Sequence, residues 1–207
     1  MRGWQQGCRE INDIPGDFRV RVLYTHPAHW SRELIEVFAT CDKVVKYVDI
    51  PLQHIAAHIL EEQRRKTDGD YIRRLIRDLR AAVPGIGLCT TFISGLPGEN
   101  EEDHAELRDF IREFRFERAG VFPYSREEVS LAAKMKGQVQ HATRKRRANE
   151  LSMILAGIAD RNRWGYNLGV GLHVPVSNTS AFYMSGETIL RGDSYEWNGN
   201  VGFQIAF

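Results

Sequence analysis

Gly87-Leu-Cys-Thr-Thr-Phe-Ile-Ser-Gly-Leu-Pro-Gly-Glu-Asn100 is the stretch on which the fold turns. Apolar and β-branched residues from Leu88 to Ile93 read as a buried strand. In the Gly-Pro-Gly loop that follows, Gly95 and Gly98 let the backbone approach a ligand or adopt positive φ. Asn100 is placed to cap a helix carrying Leu107, Phe110, Ile111 and Phe114 at helical spacing. Such a loop lies at the carboxyl end of a strand, where α/β proteins place ligands.

On the amino-terminal side, Asp70 to Val83 is the clearest helix. Its stripe is Ile72, Leu75, Ile76, Leu79 and Val83, and Pro84-Gly85 stops it. Lys43 to Ile50 reads as a strand closed by Pro51-Leu-Gln-His54, with a helix from about His54 to Arg65. Arg19 to Tyr24 alternates as a strand and ends at Thr25-His26-Pro27. A helix from Ser31 follows, with Leu34, Ile35, Val37 and Phe38 on its apolar face. Residues 1–17 read as polar and irregular, turned by Pro15-Gly16. On the carboxyl side, Arg118 to Tyr124 is a shorter fourth strand. Strand and helix alternate, which predicts an α/β fold of parallel strands with crossover helices. Four strands are too few for a closed eight-stranded barrel. The sheet is therefore open or part of a larger barrel.

Arg144-Lys-Arg-Arg147 leads a helix with Leu151, Ile154, Leu155 and Ile158 on one side. Such a basic run is either a solvated helix face or a nucleic-acid contact. From Trp164 the character changes. Trp164, Tyr166, Leu168, Val170, Leu172, Val174 and Val176 share one parity, and small or polar residues share the other. Ala181 to Leu190 and the alternation Trp197, Val201, Phe203, Ile205, Phe207 add two more strands. Residues 164–207 thus read either as a soluble antiparallel sheet or as strands of an outer-membrane β-barrel. Three strands alone cannot close a barrel.

Bulk properties narrow the function classes. Among 207 residues 27% are charged, and the net charge is +1, so wholesale nucleic-acid binding has no support. The amino terminus has no apolar core of a secretory signal, and no run of eighteen apolar residues exists. The three cysteines, Cys8, Cys41 and Cys89, are scattered and form no CxxC or CxxxCxxC. That count fits a reducing cytoplasm, and a cytoplasmic location is expected.

Four stretches now stand in order at sensible spacing. They are Val22-Leu-Tyr-Thr-His-Pro27, Tyr47-Val-Asp-Ile-Pro-Leu-Gln-His54, Thr90-Thr-Phe-Ile-Ser-Gly-Leu-Pro-Gly-Glu99 and Gly120-Val-Phe-Pro-Tyr-Ser-Arg-Glu-Glu128. Over about residues 18–163 the chain resembles the radical SAM methylthiotransferases. It resembles most the RimO-type branch, which modifies an aspartate of a small-subunit ribosomal protein. The resemblance implies a partial (β/α) radical SAM barrel, with S-adenosylmethionine and [4Fe-4S] clusters as cofactors. It also implies a hydrogen abstraction from a substrate carbon that then receives a methylthio group. Members carry the cluster on a CxxxCxxC loop ahead of the stretches matched here. Cys8, Cys41 and Cys89 match none of those ligands, so this chain alone is expected to hold no cluster and to be inactive. Cys89 stands where the family usually has arginine, which puts an anion contact or a barrel ion pair in doubt. His104 stands where an aromatic is usual, and the β-rich tail does not resemble the family's carboxyl-terminal domain.

The expected cofactor-binding residues are Gln53, Thr91, Gly95, Pro97, Gly98, Glu99, Tyr124 and Ser125, with no metal ligand. Glu99 alternatively only stabilises the following helix through its macrodipole. Tyr124 is alternatively plain core. His54 and His26 either face the cofactor or hold turns. Cys89 reads as a buried small hydrophobe and not a nucleophile. Expected partners are the ribosomal protein, a missing amino-terminal half or a second copy of the chain, with no membrane. The competing reading is a non-catalytic chimeric or relic chain whose tail derives from an outer-membrane barrel.

Overall fold

Strands β1 (Val20–Val22), β2 (Val44–Asp49), β3 (Gly87–Ser94) and β4 (Arg118–Pro123) pair in parallel in that order. This computed structural model describes residues 4–127, 130–162, 167–177, 180–191 and 194–205. Each β-to-β crossover carries helix: α2 (Arg32–Thr40), then α3 (Ala57–Glu62) with α4 (Gly69–Ala82), then α5 (Glu101–Phe114). This is the expected α/β partial barrel of four parallel strands.

The alternation along β3 explains its place at the centre. Leu88, Thr90, Phe92 and Ser94 are buried, whereas Gly87, Cys89, Thr91 and Ile93 are half-buried. The buried parity faces the helix layer, where Phe92 meets Phe110 and Phe116 edge-on with ring centroids 6.2 and 5.7 Å away. Each fully buried large apolar side chain in this core contributes about 1.5–3 kcal/mol of transfer free energy. The helices begin on the residues the sequence marks. Ser31 Oγ accepts from Leu34 N at 3.3 Å, and Asp68 Oδ1 accepts from Tyr71 N at 2.7 Å. Asn100 and Asp103 form a reciprocal capping box at the start of α5.

The amino terminus corrects the sequence reading. Residues 1–17 are not irregular throughout, because α1 (Trp4–Asp13) is helical. Trp4, Cys8 and Ile11 recur at helical spacing, and Cys8 is buried. The polar residues that disguise this helix are spent on neighbours. Gln5 Nε2 donates to Ser31 Oγ at 3.0 Å, and Lys43 N donates to Asn12 Oδ1 at 3.1 Å. Two boundaries also shift. β1 is only Val20–Val22, and the helix expected from about His54 starts at Ala57, since the backbone at Gln53 turns to φ 71°.

The chain divides into two compact units, Met1–Ala159 and Asp160–Phe207. Helix α6 (His141–Asn162) closes the first. The second holds β5 (Asn167–Ser177), β6 (Ser180–Arg191) and β7 (Ser194–Ile205) in an antiparallel sheet. Trp164, Tyr166 and Phe207, on which part of the barrel-like pattern rests, lie outside the described residues.

Candidate cofactor-binding rim

The carboxyl ends of β2, β3 and β4 are joined by backbone bonds. Gln53 N donates to Thr91 O at 2.9 Å, Ile93 N to Gln53 O at 2.8 Å, and Tyr124 N to Ser94 O at 2.9 Å. Gln53, Thr91 and Tyr124 are thereby brought together with the Gly95–Glu99 loop on one rim. A small apolar cluster of Ala56, Ile59 and Leu96 underlies it, with Ile93 and Tyr124 packed against it.

Glu99 organises the loop from inside. Its side chain is fully buried. Oε2 accepts from Gly95 N at 2.6 Å and Leu96 N at 3.2 Å, and Oε1 accepts from Arg147 Nη1 at 2.9 Å. His54, also fully buried, brings Nε2 to 3.5 Å from Glu99 Oε2, at the limit of hydrogen bonding. Burial alone raises the Glu99 carboxyl. His54, the Gly95 amide and Arg147 outweigh that and hold it below the usual carboxylate range. The carboxylate therefore folds the loop over itself and faces protein, not solvent.

The two glycines answer to packing. Gly95 has φ +79°, and a Cβ there would lie 2.8 Å from Arg144 Cβ and overlap Arg144 Cγ. Gly98 has φ +83°, and a Cβ there would lie 3.2 Å from Glu62 Oε2. The loop is closed further by Gly98 N donating to Gly137 O at 2.9 Å. Pro97 is buried, and Gly98 is the exposed tip. Ser125 is exposed and its Oγ donates to Glu127 Oε1 at 3.2 Å, so it stands outside the cluster of rim residues.

The histidines hold turns. His54 Nδ1 accepts from Ala56 N, and His26 Nδ1 accepts from Ala28 N, both at 3.1 Å. His104 is buried on α5 and pairs through Nε2 with Glu150 Oε2 of α6 at 3.0 Å. Cys89 is half-buried, contrary to the buried position expected of it. It lies beside Tyr47, whose hydroxyl is pushed up to about 12 by burial, then by Cys89 and Asp49.

The basic run of α6 divides: Lys145 and Arg146 are exposed, as on a solvated face, whereas Arg144 is half-buried and Arg147 is buried, and three of the four make bonds within the chain. Arg144 Nη1 donates to Tyr124 O at 2.6 Å, and Arg146 Nη2 to Glu101 Oε1 at 2.9 Å. Arg147 reaches Glu99 Oε1, Glu99 O and Glu101 Oε1. Reading the run in isolation missed this. The signal was its match to the acidic stretch Glu99–Asp103, which contains four carboxylates.

Two implied groups fare differently against these residues. For S-adenosylmethionine the rim offers polar backbone and a stacking ring. Tyr124 Oη is buried with no hydrogen-bond partner, an atom a polar ligand would satisfy. Gln53, Thr91 and Gly98 stand on the same rim as Tyr124 and could line such a site. For an iron–sulfur cluster the fit fails. Cys8 is buried on α1, Cys41 is the buried C-cap of α2 and Cys89 lies on β3. Among the described residues no three or more His, Cys, Asp or Glu side chains form a group able to hold a metal ion.

Comparisons with known proteins follow the same geometry. The family model of the radical SAM superfamily matches residues 4–111. The chain is 58% identical over 151 residues to the ribosomal protein uS12 methylthiotransferase RimO of Akkermansia muciniphila, covering 73% of this chain and 33% of that protein. It is 54% identical over 139 residues to the enzyme of the same name from Opitutus terrae, covering 67% and 30%. The chain thus spans about a third of the length of these curated relatives. The coproporphyrinogen III oxidase (HemN) of Escherichia coli, a radical SAM enzyme, superposes with a TM-score of 0.56 at 14% identity, covering 82% of this chain and 46% of that one. That likeness concerns the fold. With the parallel sheet, the rim and the matching stretches in agreement, the chain belongs to the radical SAM superfamily, and the branch it resembles is the RimO-type methylthiotransferases.

Proposed function

We propose that residues 18–163 supply one wall of an S-adenosylmethionine site in a radical SAM methylthiotransferase. Its substrate is an aspartate of a small-subunit ribosomal protein, and its location is cytoplasmic. The observation that carries this reading is the rim at the carboxyl ends of β2, β3 and β4, with the Gly95–Glu99 loop fixed by a buried carboxylate. When bound, S-adenosylmethionine supplies the reactive adenosyl group. The residues here bind and orient it. Tyr124 offers a ring and an unpaired hydroxyl, and Gln53 and Thr91 offer polar edges on the neighbouring strands. The Glu99 clamp fixes the loop before any ligand arrives, which lowers the ordering cost of binding. Since the cysteines do not fit a cluster, no radical step is assigned to this chain. A cluster would be held by residues other than those of the matched stretches.

Anaerobic incubation with iron and sulfide is expected to leave no thiolate–iron absorbance near ~400 nm. Stoichiometric iron with cleavage of S-adenosylmethionine contradicts the reading of this chain as an inactive wall. A second reading concerns the tail alone. Strands of 11, 12 and 12 residues in antiparallel order, with the alternation of the sequence, favour descent from an outer-membrane barrel. Heat-modifiable insertion of the chain into lipid vesicles supports that descent as a working membrane segment, and its absence counts against it.

A further inference from the structure

A cavity of about 250 Å³ lies beside the carboxyl end of β1 and shares no lining residue with the Gly95–Glu99 loop. Its floor is apolar and buried, made by Cys8, Val22, Trp30 and Leu34. Two exposed aromatics, Trp4 and Tyr24, also line it, at 67% and 82% exposure. Large aromatics exposed around an apolar recess are the arrangement that small-molecule sites use. Tyr24 is held at φ +55°, a left-handed backbone that costs free energy and clusters at functional sites.

The polar groups of the cavity point to the ligand's charge. His26 Nδ1 accepts from Ala28 N, so the ring carries its proton on Nε2, and Nε2 has no partner among the described residues. Burial, with Arg65, His29 and Lys66, keeps His26 neutral by lowering its pKa. Of these neighbours Arg65 and Lys66 are cations, and they favour an anion near His26. The wall is rigid. Tyr71 Oη donates to Pro27 O at 3.1 Å or Trp30 O at 3.2 Å, and Trp30 Nε1 donates to Thr25 Oγ1 at 3.2 Å.

We propose that this cavity binds a planar aromatic carboxylate of two-ring size. The ring packs between Trp4 and the apolar floor, and the carboxylate accepts from His26 Nε2–H. The test titrates 2-naphthoate into the full chain by calorimetry. One saturable site is expected, weakened at least about tenfold by Trp4→Ala, which removes an exposed ring, and by His26→Phe, which keeps a ring and removes the donor. Near-ultraviolet circular dichroism confirms that each variant keeps its packing. The neutral naphthalene-2-methanol is expected to bind about tenfold more weakly than the acid. No saturable heat from the wild-type chain overturns the proposal, as does binding unchanged in both variants. Equal binding of the neutral alcohol overturns the carboxylate assignment.

Discussion

At the residue scale, Glu99 decides how the loop is built. It pairs with Arg147 and His54 away from solvent, and breaking one partner of a buried pair leaves an uncompensated charge. Glu99→Gln is expected to destabilise the chain by about 3 kcal/mol, read from urea unfolding. A loss below about 1 kcal/mol contradicts the clamp. The sign of its pH dependence follows from its depressed carboxyl. The stabilisation is fully present above the unfolded carboxylate pKa of about 4.3 and is lost as pH falls through the lower folded value. Glu150, depressed by His104 and Arg108, acts in the same direction. Melting temperature should therefore fall between about pH 5 and 3, less steeply in Glu99→Gln than in the wild type. Gly95→Ala faces both a left-handed backbone and Arg144, and is expected to cost about 2 kcal/mol or more. In the double variant Gly95→Ala, Arg144→Ala, thermal melts should recover only the part of the loss that comes from Arg144 Cγ, because an alanine at 144 keeps a Cβ 2.8 Å away and the left-handed backbone still costs about 1–2 kcal/mol. The sequence had marked Gly95 and Gly98 as special positions, and both do take positive φ. That the space beside them belongs to Arg144 and Glu62 was not legible, since those side chains approach from 49 and 36 residues away.

At the element scale, periodicity and caps found most of the barrel portion. α4 and α5 announce themselves through apolar stripes and through the caps Asp68 and Asn100. α1 escaped because its polar residues outnumber its apolar ones, and only its bonds to Ser31 and Lys43 explain their use. α6 was legible as a helix and Lys145 and Arg146 do form a solvated face, yet the inward roles of Arg144 and Arg147 were not legible, because their partners Tyr124 and Glu99 are distant in sequence. Its attachment to α5 makes a prediction at this scale. His104→Ala should leave Glu150 facing only Arg108 and Arg146 and open a void between the helices, costing about 2 kcal/mol. Hydrogen exchange is expected to quicken in α5 and α6 together and to stay unchanged in β2. Uniform quickening across the sheet contradicts a local joint.

At the scale of the whole molecule, the first unit holds a core running from Cys8 to Ile158. Cleavage or truncation after Ala159 is expected to leave residues 1–159 cooperatively folded, with a melting temperature close to that of the full chain. A molten first unit contradicts its independence. Among the described residues no helix is long and apolar enough to cross a membrane. The first unit carries one rim, preorganised by a buried carboxylate, and the proposed function assigns this rim to S-adenosylmethionine. The measurement that tests this most directly is amide shift mapping of the isotopically labelled chain with S-adenosylhomocysteine. Gln53, Thr91, Gly98 and Tyr124 should shift together and saturably, and Glu99→Gln should weaken the response at least about tenfold. No saturable shift at these residues, or shifts confined to other parts of the chain, contradicts the assignment of this rim as a cofactor wall.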